Sequence, residues 1–151
     1  MATYSFQDVV ATITGVGGSF DLAAGAGSAE EGITIEAVED KNVMTIGADG
    51  SGMHSLVANS SSTVTVNLLK TSPTNALLQA MYDAQTATSL AHGKNVITVR
   101  DVARGDFIVL TKAAFSRRPS VTYAKEGGNM VWTFMAIQTT QVLGTGSPEI
   151  I

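Results

Sequence analysis

The chain has 151 residues, 44% of them apolar, no cysteine and a formal charge of −4. That admits one domain with a real core and excludes a disulfide framework, a thiolate nucleophile and a thiolate metal site. Charged residues are only 15%, while 18 threonines and 13 serines supply the polarity; such a surface is weakly defended against association, which favours a subunit of something larger.

No apolar run approaches the ~18 residues of a membrane span. The opening MATYSFQDVV has no basic region, apolar core or cleavage signature, so synthesis and folding in the cytoplasm are expected.

Tyr4–Thr14 has β character, with Tyr4, Phe6, Val10 and Thr12 on one face and Asp8 interrupting it. Residues 15–32 hold six glycines and four alanines. They read either as a flexible arm that orders against a neighbour or as a loop around a short strand at Ser19–Leu22. ITIEAVE alternates, with Ile33, Ile35 and Ala37 on one side and Thr34 and Glu36 on the other. NVMTIG and MHSLVA follow as strands flanking GADGSG. STVTVNLLK is the cleanest strand, with Val64, Val66 and Leu68 inward and Thr63, Thr65 and Asn67 outward.

The period then changes. Ser72 as N-cap and Pro73 at the first helical position predict a helix over about 73–86. Leu77, Ala80, Met81 and Ala84 form its expected apolar stripe, widened by Leu78 and Tyr82. NVITVR, DFIVLTKAAF, SVTYAK and NMVWTFMAIQ read as further strands. Gly127 and Gly128 of EGG are the expected tight turn between the last two. The final strand is apolar on both faces: Met130, Trp132, Phe134 and Ala136 on one, Val131, Met135 and Ile137 on the other. Such a strand is covered twice, by its own core and by the helix or another subunit. Nothing divides the chain, so residues 1–151 are expected to form one domain.

The charge is lopsided. Residues 1–50 carry eight acids and one base; residues 94–125 carry seven bases and two acids. Either the two segments neutralise each other within one fold, or they form faces of opposite sign that meet head-to-tail between copies.

Catalytic chemistry finds no footing. Asp49, Ser51, His54 and Ser55 supply the residue types of a nucleophilic triad, but they sit on one short turn and its following strand, where they cannot converge. GADGSG lacks the Lys-Ser/Thr of a phosphate loop and offers one carboxylate to a cation. A hairpin turn using glycines at positive φ accounts for it. His54 and His92 are too few for a histidine metal site, and adjacent Glu30 and Glu31 form no acid/base pair. Arg117, Arg118 and Pro119 form a basic corner, read as a solvated turn or a contact to an acidic neighbour. No catalytic, cofactor-binding or metal residues are expected, and no cofactor.

The run EEGITIEAVEDKNVMTIGADGSGMHS, then STVTVNLLKTSPTNALLQAMYDAQ, resembles the tail tube proteins of contractile-tailed bacteriophages. More narrowly, it resembles a family long catalogued as a phage domain of unknown function. NVITV, ARGD and VTYAKEGG…W keep the same order, and the match is looser from Phe107 to Arg118.

The resemblance implies a mainly β fold of two packed antiparallel sheets, barrel- or sandwich-like, with one flanking helix. It implies a structural virion protein of the phage tail, assembled in the host cytoplasm. Six copies would close into a ring, and rings would stack head-to-tail into a hollow tube. The sheath would lie outside, baseplate or initiator and tail terminator at the ends, and tape measure protein and then DNA in the lumen, with no insertion into a membrane. Candidate lumen-facing acids are Glu36, Glu39 and Asp40, which would repel DNA phosphates. The hairpin from Lys41 to Ser61 would reach the next ring through Asp49, Gly50, Ser51, Gly52 and His54.

Two alternatives stand beside this one. The first is the inner tube of a related bacteriocin or type VI-like injection system. The second is a monomeric β-sandwich binding module, which would need an exposed aromatic platform.

Overall fold

The computed structural model describes residues 3–23 and 28–144. Residues 1–2, residues 24–27 of the Gly/Ala-rich segment, the side chains of residues 28–31 and the C-terminal 145–151 lie outside that description.

One 3₁₀ turn at Phe6–Asp8, where the Ser5 hydroxyl accepts from the Gln7 N–H, leads into strand β1 (Val9–Gly15). The turn resets the phase expected from Tyr4 onward. Ala11 and Ile13 are the buried residues of β1, whereas Val10 is exposed and Thr12 only half-buried. Strand β2 (Gly18–Asp21) folds back on β1 and delivers Leu22 and Ala23 to the core. Then come β3 (Ser28–Ala37), β4 (Asn42–Ile46), β5 (Gly52–Leu56) and β6 (Ser62–Leu69). Helix α1 (Thr74–Thr86), β7 (Asn95–Asp101), β8 (Asp106–Arg117) and β9 (Asn129–Val142) complete the order.

These strands make two antiparallel sheets, as expected, of very unequal size. Seven strands form one sheet in the order β2-β1-β7-β8-β9-β6-β3; β4 and β5 form the other. The large sheet curls on itself. Ile33 and Ile35 of β3 face Val9, Val99 and Ile108 across a cleft of about 310 Å³. Among the described residues β2 and β3 remain its two edges, so no closed barrel forms.

Strand β6 alternates as its sequence dictates: Val64, Val66 and Leu68 are buried, and Thr63, Thr65 and Asn67 face outward. In β9, Trp132, Phe134 and Ala136 join them inside. Helix α1 lies on this inner face. The Trp132 indole N–H donates to Asn75 Oδ1 at 3.0 Å, and Phe115 contacts the rings of Tyr82, Trp132 and Phe134.

The helix begins one residue later than expected. Pro73 takes helical angles ahead of it, and Ser72 Oγ accepts from the Thr74 N–H at 3.3 Å. Its buried stripe is Thr74, Leu78, Met81 and Gln85; Leu77, Ala80 and Ala84 face outward. Of its polar members, Gln85 is held by side-chain hydrogen bonds to Asn95, and the Thr74 N–H is capped by the Ser72 hydroxyl, which an apolar count overlooks.

Two other expectations change. SVTYAK is not a strand: β8 and β9 pair directly, ending at Arg117↔Thr133, and 118–128 is their connection. Strand β9 already has β8 on one edge and β6 on the other, which leaves no ladder for 121–125. Gly127 and Gly128 accordingly need no positive φ. The second change concerns the outer face of β9. The helix covers the inner face only, so Val131, Met135 and Ile137 stay 42–62% exposed within one chain.

Candidate functional site

The stretch GADGSG is the turn of the β4–β5 hairpin. Gly47 N–H donates to Ser51 O at 2.6 Å and Gly50 N–H to Gly47 O at 3.0 Å, with Gly50 at φ +87. An L-side chain rarely adopts that angle, which explains the glycine. Asp49 Oδ1 accepts from both the Ser51 N–H (3.0 Å) and the Ser51 hydroxyl (2.6 Å). These hydrogen bonds hold the Asp49 carboxyl below its usual 3.8.

His54 points elsewhere: the Asn42 amide donates to its Nδ1 at 3.1 Å across the ladder. Asp49 and Ser51 therefore serve each other and the turn, not a nucleophile. Among the described residues no group of acids and histidines could hold a metal ion, and no helix is long and apolar enough to cross a membrane.

At its root the hairpin is fastened by Val57 N–H to Lys41 O (2.8 Å) and Val38 N–H to Ser61 O (3.2 Å). Asn59 donates to Glu39 Oε2 at 3.0 Å and accepts from the Ser61 N–H and hydroxyl. The turn residues Asp49, Gly50, Ser51, Gly52 and His54 are thus gathered at one tip. Of the three acids, Glu36 lies on the outward face of β3 opposite Thr63, while Glu39 and Asp40 sit at the hairpin root. All eight residues are exposed.

Residue types in the hairpin drew attention to polar chemistry and away from its apolar side chains. Val43, Met44, Ile46, Met53 and Leu56 are all exposed, Leu56 at 87%. Met44, Ile46 and Leu56 lie on one face of the ribbon, Val43 and Met53 on the other. A two-stranded ribbon has no core of its own, and an isolated one is marginally stable. The signal was in NVMTI, which is apolar on both faces with no helix-facing pattern.

A model of the family described as "Bacteriophage PhiTE tail tube protein" matches residues 1–144. The chain belongs to that family. It is a structural phage tail tube protein, a component of the phage tail and not an enzyme.

No curated protein matches this tail tube protein. Solved structures do. The sheath–tube complex of an extracellular contractile injection system (PVC, extended state) aligns with a TM-score of 0.59 at 10% identity, over 93% of this chain and 92% of that one. The sheath/tube terminator of the same kind of system gives 0.58 at 12% identity, over 94% and 98%. The tube-terminating cap of the anti-feeding prophage gives 0.55 at 15%, over 95% of each. At such identities the likeness concerns the fold.

Proposed function

We propose that this tail tube protein works as a self-polymerising subunit: six copies close into a ring, and rings stack head-to-tail into the inner tube of a contractile tail. The observation that carries the reading is the pair of apolar surfaces left bare in one chain, the β4–β5 ribbon and the outer face of β9. Apolar area removed from water contributes about 25 cal/mol per Å², and a second copy offers the same surfaces to satisfy both. The open edges β2 and β3 support lateral closure, because a ring that continues the sheet leaves no ladder unpaired.

Sheath outside, and baseplate and terminator at the ends, are the proposed partners. Assemblies of those kinds are where proteins of this fold occur. In the lumen would lie the tape measure protein and then DNA, held without sequence preference. Glu36, on a face it shares with the hydroxyls of Thr34, Thr63 and Thr65, is the lumen-facing acid best supported by position; Glu39 and Asp40 would line the bore only near a ring junction. Asp49, Gly50, Ser51, Gly52 and His54 are the proposed inter-ring contacts. Assembly of the tail in the host cytoplasm belongs to the same reading.

The injection-system tube remains a second reading, favoured by the PVC and anti-feeding-prophage likenesses. Trp132, the one tryptophan, is fully buried and so offers no platform to a binding module.

Negative-stain electron microscopy tests the proposal over a concentration series, with and without the baseplate of the same tail. Hollow tubes or stacked annuli are expected. Monomers at every concentration with baseplate present would overturn it.

A further inference from the structure

The core of the large sheet reaches the surface at the cleft that β3 makes with β1, β7 and β8, and it stops there unfinished. Phe6, Val9, Ile33, Ile35, Val99 and Ile108 pack against the buried core, line this cleft of about 310 Å³ and are each only half-buried. A further apolar group would take that surface out of water. The carboxylates on the lining are already engaged. Asp101 accepts from the Arg104 N–H at 3.2 Å and faces its guanidinium at 3.7 Å, and Asp106 Oδ1 accepts from the Gly144 N–H at 2.7 Å. What the cleft offers an occupant is carbon surface.

The bond from Gly144 sets the chain itself at the mouth. Register places Val9, Asp101 and Asp106 in one row across β1, β7 and β8, and Val99 with Ile108 in the next row on the same face, two residues along. That step is about 7 Å. Gly144 is fastened to the first row, so close to the β7–β8 turn that a Cβ on it would stand 1.7 Å from Arg104 O. The next residues are TGSPEII, 145–151, which lie outside the described residues and beyond the family match. From Gly144 to Ile150 the chain can span up to about 20 Å, ample for an apolar floor that begins about 7 Å away.

The sequence also says which side chain suits the cleft. Ser147 precedes a proline, which favours extended backbone there. In an extended run Pro148 and Ile150 share one side and Glu149 takes the other. Pro148 has no N–H to give to a ladder, so the segment is a poor continuing strand for the open edge of β3 and a better plug.

We propose that residues 147–151 occupy the cleft of their own chain, with Ile150 against Ile35, Val99 and Ile108 and Glu149 left in water. The plug completes the core where the sheet stops short of a barrel and fixes the β3 edge against the strands it faces. It holds whether or not the tube reading does.

The test places a photo-reactive diazirine analogue of leucine at position 150 of the full chain, irradiated over a dilution series. The expected product runs as a single chain on a denaturing gel, and its cross-linked peptides contain Phe6, Ile35, Val99 or Ile108. Cross-linked dimers alone would put the segment in a neighbouring copy, and cross-links elsewhere or none would leave the cleft to another occupant; each overturns the proposal. A double-mutant cycle gives a second readout. Ile150→Ser should lower Tm by about 2–4 °C, and the same change in an Ile108→Ala chain should lower it by less. A melt that Ile150→Ser leaves unmoved, or strict additivity, overturns it too.

Discussion

Gln85 and Asn95 exchange two amide hydrogen bonds in the interior. Gln85 Nε2 donates to Asn95 Oδ1 at 2.6 Å, and Asn95 Nδ2 donates to Gln85 Oε1 at 2.7 Å. Gln85 Nε2 also donates to Val16 O at 2.8 Å. Both side chains are at most 1% exposed. Three elements meet there: the last turn of α1, the first residue of β7 and the β1–β2 turn. Gly15 belongs to the same arrangement, because a Cβ on it would lie 1.8 Å from Asn95 Oδ1.

Removing one partner strands the other. Gln85→Leu should destabilise the monomer by about 2 kcal/mol, the usual cost of a buried unsatisfied amide. For a chain of this size that lowers Tm by about 4–8 °C. Gln85→Leu combined with Asn95→Leu should cost less than the sum of the single changes, since neither leaves the other unpaired. A double-mutant cycle by thermal or urea denaturation measures it, and strict additivity would show that the pair is not coupled.

Lys112 holds φ +53 in the middle of β8, where the β7–β8 register shifts between Asn95 and Ile97. A left-handed conformation costs a non-glycine residue about 1–2 kcal/mol. Glycine takes it freely but loses more entropy on folding. Lys112→Gly should therefore leave stability unchanged or raise it by up to about 1 kcal/mol. Lys112→Val, branched at Cβ, should lower it. Urea midpoints decide, and a clear loss in the glycine variant would mean that the lysine stem contributes packing.

Asp49 gives a pH signature that is confined to acid and leaves stability independent of pH around neutrality. Its carboxyl titrates below the usual 3.8 because the hydroxyl and N–H of Ser51 favour the charged form. The folded value is depressed, so the contribution is present above the unfolded value and lost as pH falls through the folded one. The window lies below pH 4. Ser51→Ala should raise the Asp49 pKa toward its ordinary value, read from the carboxyl carbon by NMR. An unchanged titration would show that the side-chain bond is not formed in solution.

Strand β6, the helix and the hairpin glycine Gly50 are legible in the sequence because each rests on local chemistry: alternation, a Ser-Pro start and a positive φ. What was misjudged needed long-range information. The stripe of α1 contains Thr74, whose N–H is capped by Ser72, and Gln85, which is paired with Asn95, so a search for apolar spacing favours Leu77 and Ala80 instead. The residues 121–125 carry strand propensity, but both edges of β9 were taken. Phase in β1 was lost to one 3₁₀ turn. The resemblance supplied the assembly, since the residues of the hairpin show only that it is exposed and apolar, not what covers it.

The hairpin yields the last prediction. Its tip makes hydrogen bonds within the turn, and its apolar side chains face outward on both sides of a two-stranded ribbon. Deleting Asp49–Gly52, or changing Met44→Ser with Leu56→Ser, should thus leave the Tm of the seven-stranded body nearly unmoved, since exposed substitutions usually fall within about 0.5 kcal/mol. Tube formation should fail in both. The two variants separate two causes. The deletion removes the glycine turn and the reach of the ribbon; the serine pair keeps the backbone and removes only apolar area on one face. If the serine pair assembles like the parent while the deletion does not, reach and backbone contact at the tip hold the stack. If neither variant is impaired, the hairpin is not an inter-ring contact, and the bare face of β9 must find its cover elsewhere.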